Sequence, residues 1–114
     1  FSLAISSRSM DKLNAVKEEL EGEYPGIEVR PFKIDYANQT DYGEMTALDS
    51  DIAQNLSIVV NNVGFFNVKS IFNQPPETIQ TMLKVNLYPQ TLLTKYAMLA
   101  YKKQKKEQGK APAF

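Results

Sequence analysis

At 114 residues the chain is long enough for one small domain with a modest core, and short for a complete dinucleotide enzyme. Its 13 Lys and Arg balance its 13 Asp and Glu, so no net charge draws it toward nucleic acid or an anionic membrane. It has no Cys and no His, which excludes disulfides, thiolate or imidazole metal sites and Ser-His-Asp catalysis. No apolar run reaches membrane-spanning length, and nothing resembles a signal peptide.

Strand-like apolar runs alternate with helical stripes along the chain, the pattern of βαβ units on a parallel sheet. Phe1 to Ser6 reads as a buried strand that begins without an approach segment, so we expect more chain upstream. Ser9 is placed to cap a helix with Asp11 in its first turn, and Met10, Leu13, Val16 and Leu20 recur at helical spacing as far as Gly22. Tyr24-Pro25-Gly26 predicts a turn into a second strand, Ile27 to Ile34. Pro31 within it cannot donate a ladder hydrogen bond and suits an edge. A helix is expected over Tyr42 to Gln54, with Met45, Leu48 and Ile52 inward. Leu56 to Val60 is β-branched and predicts the most buried strand, ended by Asn61-Asn62-Val63-Gly64. The last helix starts at Pro75 or Pro76, where a missing amide is harmless. It carries Ile79, Met82, Leu83, Leu87, Leu92 and Leu93 toward Lys106, with an interruption at Pro89. Gly109 to Pro112 reads as a loop and Ala113-Phe114 as the start of another strand.

Four places carry residue types suited to chemistry. Ser6-Ser7-Arg8-Ser9 lies between a strand end and a helix N-terminus, where backbone amides and the helix dipole favour an anion and Arg8 adds a cation. An Arg after this strand of a dinucleotide fold can pair a ribose 2′-phosphate, where a carboxylate would accept from the 2′-hydroxyl. A solvated surface arginine is the plainer alternative. Asp35, directly after the second strand, can accept from an adenine amino group or cap its own loop. Asn61 to Gly64 offers two amides and a glycine at the carboxyl edge of a parallel sheet, where ligands bind. No hairpin signal accompanies it, which counts against a simple turn. Asn86 sits in an otherwise apolar helical stretch, and Pro89 removes the amide that would serve the Val85 carbonyl. We therefore expect a kink beside Asn86 with acceptors that a water can use, or else a kinked helix with Asn86 facing solvent. Lys102, Lys103, Lys105 and Lys106 end a helix, where cations oppose the dipole. The pairs Glu18/Glu19 and Asp49/Asp51 read as surface charge.

In order, Leu3-Ala4-Ile5-Ser6-Ser7-Arg8, Ile34-Asp35-Tyr36, Val59-Val60-Asn61-Asn62-Val63-Gly64 and Lys84-Val85-Asn86 resemble the short-chain dehydrogenase/reductase family over nearly the whole chain. The opening Ile5-Ser6-Ser7-Arg8-Ser9 region with Lys12-Leu13 after it, and Val63, where the family's usual turn has alanine, are most similar to its very-long-chain 3-oxoacyl-CoA reductase and hydroxysteroid dehydrogenase branch. The resemblance implies a Rossmann-like three-layer α/β segment with parallel strands. Residues 1–114 would be the central part of a single NAD(P)-binding domain, with the first strand and the C-terminal half absent from this sequence. It also implies an NADP(H)-dependent oxidoreductase of lipid metabolism that passes a hydride between nicotinamide and a carbonyl or alcohol, such as a fatty acyl or steroid substrate. Carried over by position, Ser7 and Arg8 would contact the 2′-phosphate and Asp35 with Tyr36 the adenine. Asn61, Asn62, Val63 and Gly64 would border the adenosine, and Asn86 would be the catalytic Asn whose kinked helix holds a relay water. The family's glycine-rich turn is then expected before Phe1, and its Tyr, Lys and Ser beyond Phe114. By the same resemblance the protein would be a homo-oligomer that binds no nucleic acid, cytoplasmic or at the endoplasmic reticulum membrane. Two alternatives from other classes remain: an inactive, dehydrogenase-like structural or interaction subunit, and a non-redox nucleotide-binding domain.

Overall fold

The computed structural model describes residues 2–109, so Phe1 and the expected strand start at Ala113-Phe114 lie outside the described residues. The chain divides after Gln39 into two compact units.

The first unit is one β-α-β turn: β1 (Ser2–Ser7), α1 (Met10–Glu23) and β2 (Glu28–Lys33), with the strands parallel and Leu3 opposite Val29, Ile5 opposite Pro31. Both strands fall within a residue or two of the expected bounds. Ser9 caps α1, its hydroxyl accepting from the Lys12 amide at 3.4 Å, with Asp11 in the first turn against the positive end of the dipole. Beyond α1 the Ile27 amide donates to the Tyr24 carbonyl at 3.2 Å across Pro25 and Gly26, and Gly26 takes φ +94°. A type II turn requires the positive φ that Gly26 takes at its third position and favours proline at its second. The core of this unit is Leu13, Val29, Ile34 and Tyr36, with Val29 fully enclosed.

The Ile34 amide donates to the Ser7 carbonyl at 2.9 Å, so even-numbered residues of β2 point their amides toward β1 and odd-numbered ones point away. Pro31, which has no amide, therefore occupies an outward position, as its edge assignment requires. The outward amide of Val29 is taken by Glu21 of α1, whose Oε1 accepts it at 2.9 Å and also pairs with Lys17 Nζ at 3.5 Å.

The second unit is helical: 3-10 turns at Gly43–Met45 and Ile71–Asn73, and helices α2 (Asp51–Asn55), α3 (Pro76–Asn86) and α4 (Tyr88–Gln108). The continuous helix expected over Tyr42 to Gln54 does not form. Gly43 takes φ +54°, and Ser50 is extended at φ −69°, ψ 154° while its hydroxyl donates to the Glu44 and Ala47 carbonyls and accepts from the Ala53 amide. A serine that can bond the backbone on both sides ends one turn and caps the next. Gln104 of α4 then closes the end of α2, donating to the Ala53 carbonyl at 2.8 Å and the Leu56 carbonyl at 3.1 Å.

Leu56 to Val60 is the largest departure from expectation. It is not a strand, and Ile58 and Val60 are 66% and 79% exposed. A strand exists only as a partner in a ladder, and the one sheet among the described residues is β1 with β2. The long C-terminal helix is split as Pro89 predicts. Leu87, at φ −116° and ψ −51°, ends α3 and opens α4, while Pro89 is buried and Val85, Ala97, Ala100 and Tyr101 supply the apolar packing. Gly109 closes α4 in the left-handed conformation, its amide donating to the Lys105 carbonyl at 3.1 Å. The parallel β-α-β unit and the helices that follow make a partial Rossmann-like α/β segment. No helix among the described residues is long and apolar enough to cross a membrane.

Candidate functional site

Two groups of the expected residues are built separately, one in each unit. In the first, Ser7 is committed to the turn: its Oγ accepts from the Ser9 amide at 3.2 Å and donates to the Ser9 carbonyl at 3.3 Å. This leaves Arg8 exposed at the junction of β1 and the 14-residue helix α1, beside amides the helix does not use. Asp35 follows β2 and organises its own loop. Its Oδ2 accepts from Asn38 Nδ2 at 2.7 Å, its Oδ1 accepts from the Ala37 amide at 3.1 Å, and its own amide donates to Gln39 Oε1 at 2.6 Å. The Asn38 bond, then the Ala37 amide, and after them the Arg8 charge hold the Asp35 carboxyl below its ordinary pKa of 3.8 despite some desolvation, so it is ionised at neutral pH. Asp35 is thus a loop cap with lone pairs to spare. Tyr36 is buried, and its hydroxyl shares a 2.7 Å hydrogen bond with Ser6 Oγ, tying the segment after β2 to the end of β1.

In the second unit the segment after Val60 lies along the α3–α4 helix pair. Asn61 Nδ2 donates to Thr94 Oγ1 at 3.1 Å, and Gln90 Nε2 donates to the Val63 carbonyl at 3.3 Å. Asn86 binds Phe65 twice: its Oδ1 accepts the Phe65 amide and its Nδ2 donates to the Phe65 carbonyl, both at 2.7 Å. One side-chain amide here replaces a neighbouring strand for one residue of backbone. The Asn62 side chain has no hydrogen-bond partner among the described residues, and Asn62 and Gly64 are exposed. A methyl group at Gly64 would meet Asn86 Oδ1 at 3.7 Å, an ordinary van der Waals contact, so packing within this unit does not require glycine there. Asn86 is therefore not idle in its helix, and the kink beside it is the break at Leu87. Gln90 and Thr94 went unnoticed in the sequence. Their signal is polar side chains at helical spacing, four and eight residues after Asn86.

Among the described residues no group of acidic side chains is placed to hold a metal ion. The first unit offers an exposed cation at a helix N-terminus and an ionised carboxylate in a hydrogen-bonded loop, and the second offers an anchored Asn61–Gly64 segment with the exposed side chain of Asn62.

Comparison with known proteins gives these features a context. Residues 1–111 match the short chain dehydrogenase family. A very-long-chain 3-oxoacyl-CoA reductase of Caenorhabditis briggsae is 30% identical over 98 residues, covering 82% of this chain and 31% of that protein. A putative steroid dehydrogenase 2 of Caenorhabditis elegans is 31% identical over 100 residues, again 82% of this chain and 31% of the relative. Dehydrogenase/reductase SDR family member 11 of Gallus gallus is 25% identical over 104 residues, covering 90% of this chain and 40% of the relative. The chain thus spans about a third of the length of the first two relatives. A β-α-β unit with parallel strands, an anchored Asn-Asn-Val-Gly segment and a family match along almost its whole length lead to one conclusion: the chain belongs to the short chain dehydrogenase family.

Proposed function

We propose that this chain is the nucleotide-binding part of an NADP(H)-dependent oxidoreductase acting on a carbonyl or alcohol, with a 3-oxoacyl-CoA or a steroid as the substrate class. The observation that carries the reading is the double hydrogen bond between Asn86 and Phe65, directly behind the Asn61–Gly64 turn. It ties the Asn61–Gly64 segment to a broken helix, and neither an ordinary loop nor a solvent-facing asparagine would need it. Arg8 fits a 2′-phosphate: it is exposed, carries a fork of N–H donors, and stands where α1 presents unbonded amides. Asp35, ionised and already rigid, presents an acceptor to the adenine amino group, and Tyr36 supports that loop from the core through Ser6.

The cofactor supplies the hydride exchanged with the substrate carbon. The residues of this chain bind and orient. Asn62 and Gly64 provide the open side of the turn against the adenosine, while Asn61 and Val63 are held from behind. Both amide atoms of Asn86 are engaged by Phe65, so its part in a proton relay is to hold the helix break, where Pro89 donates nothing to the Val85 carbonyl and a water can bond instead. The names of the similar reductases and steroid dehydrogenase support the substrate class. Calorimetric titration of the full-length protein with NADPH and NADH tests the reading. NADPH is expected to bind more tightly, and binding of neither nucleotide would overturn it.

A further inference from the structure

The three side chains that hold the turn form a regular set. Asn86, Gln90 and Thr94 lie four residues apart on the helix pair, and their partners Phe65, Val63 and Asn61 lie two residues apart, running the opposite way. Four residues of helix rise about 6.0 Å and two residues of extended chain about 6.6 Å, so the two spacings nearly coincide. A straight helix would still turn each successive side chain by about 40° from the last. The break at Leu87 falls between Asn86 and Gln90, where it can correct that drift. The rungs also differ in kind: Asn86 takes both backbone groups of Phe65, Gln90 takes only the Val63 carbonyl, and Thr94 takes only the Asn61 side chain.

We propose that Gln90 and Thr94 are positioning residues that act with Asn86 as one clamp, fixing the Asn61–Phe65 segment and leaving Asn62 and Gly64 as its ligand-facing members. The part concerning the ligand rests on the nucleotide-binding reading above. The clamp itself does not. Neither Gln90 nor Thr94 needs to touch the cofactor, because each works through the backbone or side chain it holds.

The test uses the full-length protein and two variants of near-unchanged shape, Gln90→Glu and Thr94→Val. At neutral pH the Gln90→Glu carboxylate cannot donate to the Val63 carbonyl. Exchange of the Phe65 amide, which residue 90 does not touch, is then expected to speed about two- to tenfold relative to wild type at the same pH, the range of one neutral hydrogen bond. The KM for the nicotinamide cofactor should rise by a similar factor with less change in kcat. Lowering the pH through the carboxyl's titration, near about 4.3 for an ordinary glutamate, restores a donor and should return the variant toward wild type. Thr94→Val should raise Phe65 exchange without any pH-dependent recovery. Unchanged Phe65 protection in both variants would overturn the clamp. Failure of the wild type to bind either nicotinamide nucleotide would instead overturn the functional reading, while the exchange measurement still decides the clamp.

Discussion

The apolar runs at residues 2–7 and 56–60 look alike in sequence and fold differently. Ser2–Ser7 becomes a strand because α1 returns the chain to place Glu28–Lys33 beside it, so each backbone group facing inward finds a partner within one compact unit. Leu56 to Val60 is the more β-branched of the two, yet it has no ladder and leaves Ile58 and Val60 largely exposed. Five residues further on, the Asn86 side chain of a helix does for Phe65 what a neighbouring strand would do. β-propensity describes how a residue fits a sheet that exists; it does not supply the partner.

The contrast breaks first at Asn86. Asn86→Leu keeps the helix and removes both bonds to Phe65, so, on the proposed oxidoreductase reading, kcat of the full-length protein should fall on the order of 100-fold, the lower end of what proton-relay groups contribute. Steady-state kinetics would show it, and an unchanged kcat would reduce Asn86 to a loop anchor. Next is the closed unit's own core. Val29→Ala opens a cavity at the most enclosed side chain there and should cost about 2 kcal/mol in chemical denaturation, with the loss appearing in the β1–β2 amides. Arg8→Ala, at the rim of the same unit, should weaken NADPH binding by about 1–3 kcal/mol and leave NADH nearly unaffected. Equal losses for the two nucleotides would remove the 2′-phosphate assignment.

The smallest effect concerns Asp35. Its folded pKa is depressed, chiefly by Asn38, so its bonds add stability above the ordinary value of 3.8, and that contribution is lost as pH falls through the lower folded value. In Asn38→Ala the largest cause is gone, and the Asp35 titration followed by NMR should move up toward 3.8. No movement would assign the depression to Ala37 and Arg8 alone.

The sequence makes β1, α1 and β2 legible because each carries a local device: the Ser9 cap, the Pro25-Gly26 turn, the proline of an edge strand. It misleads where an outcome depends on something distant. Apolar periodicity over Tyr42 to Gln54 suggests one helix, but Ser50 chooses two backbone carbonyls over helix continuity. The candidate residues Arg8, Asp35, Asn61 and Asn86 stand out by type. What Asn86 bonds to does not, because Phe65 is 21 residues away. Gln90 and Thr94 become meaningful only once the turn is seen lying along their helix.

The Glu21 carboxylate on the Val29 amide decides how this sheet can grow. Along the outward side of β2, position 29 is already bonded and position 31 is a proline, so of the three outward positions an incoming strand finds a donor only at Lys33, whose exposed side chain adds a charge at the end of the row. β1 carries no such obstruction: its side away from β2 has no proline within Ser2–Ser7. The pair is therefore polar in the sense of a growing filament, poor in donors at one edge and unobstructed by proline at the other, which favours β1 over β2 as the place for a further strand.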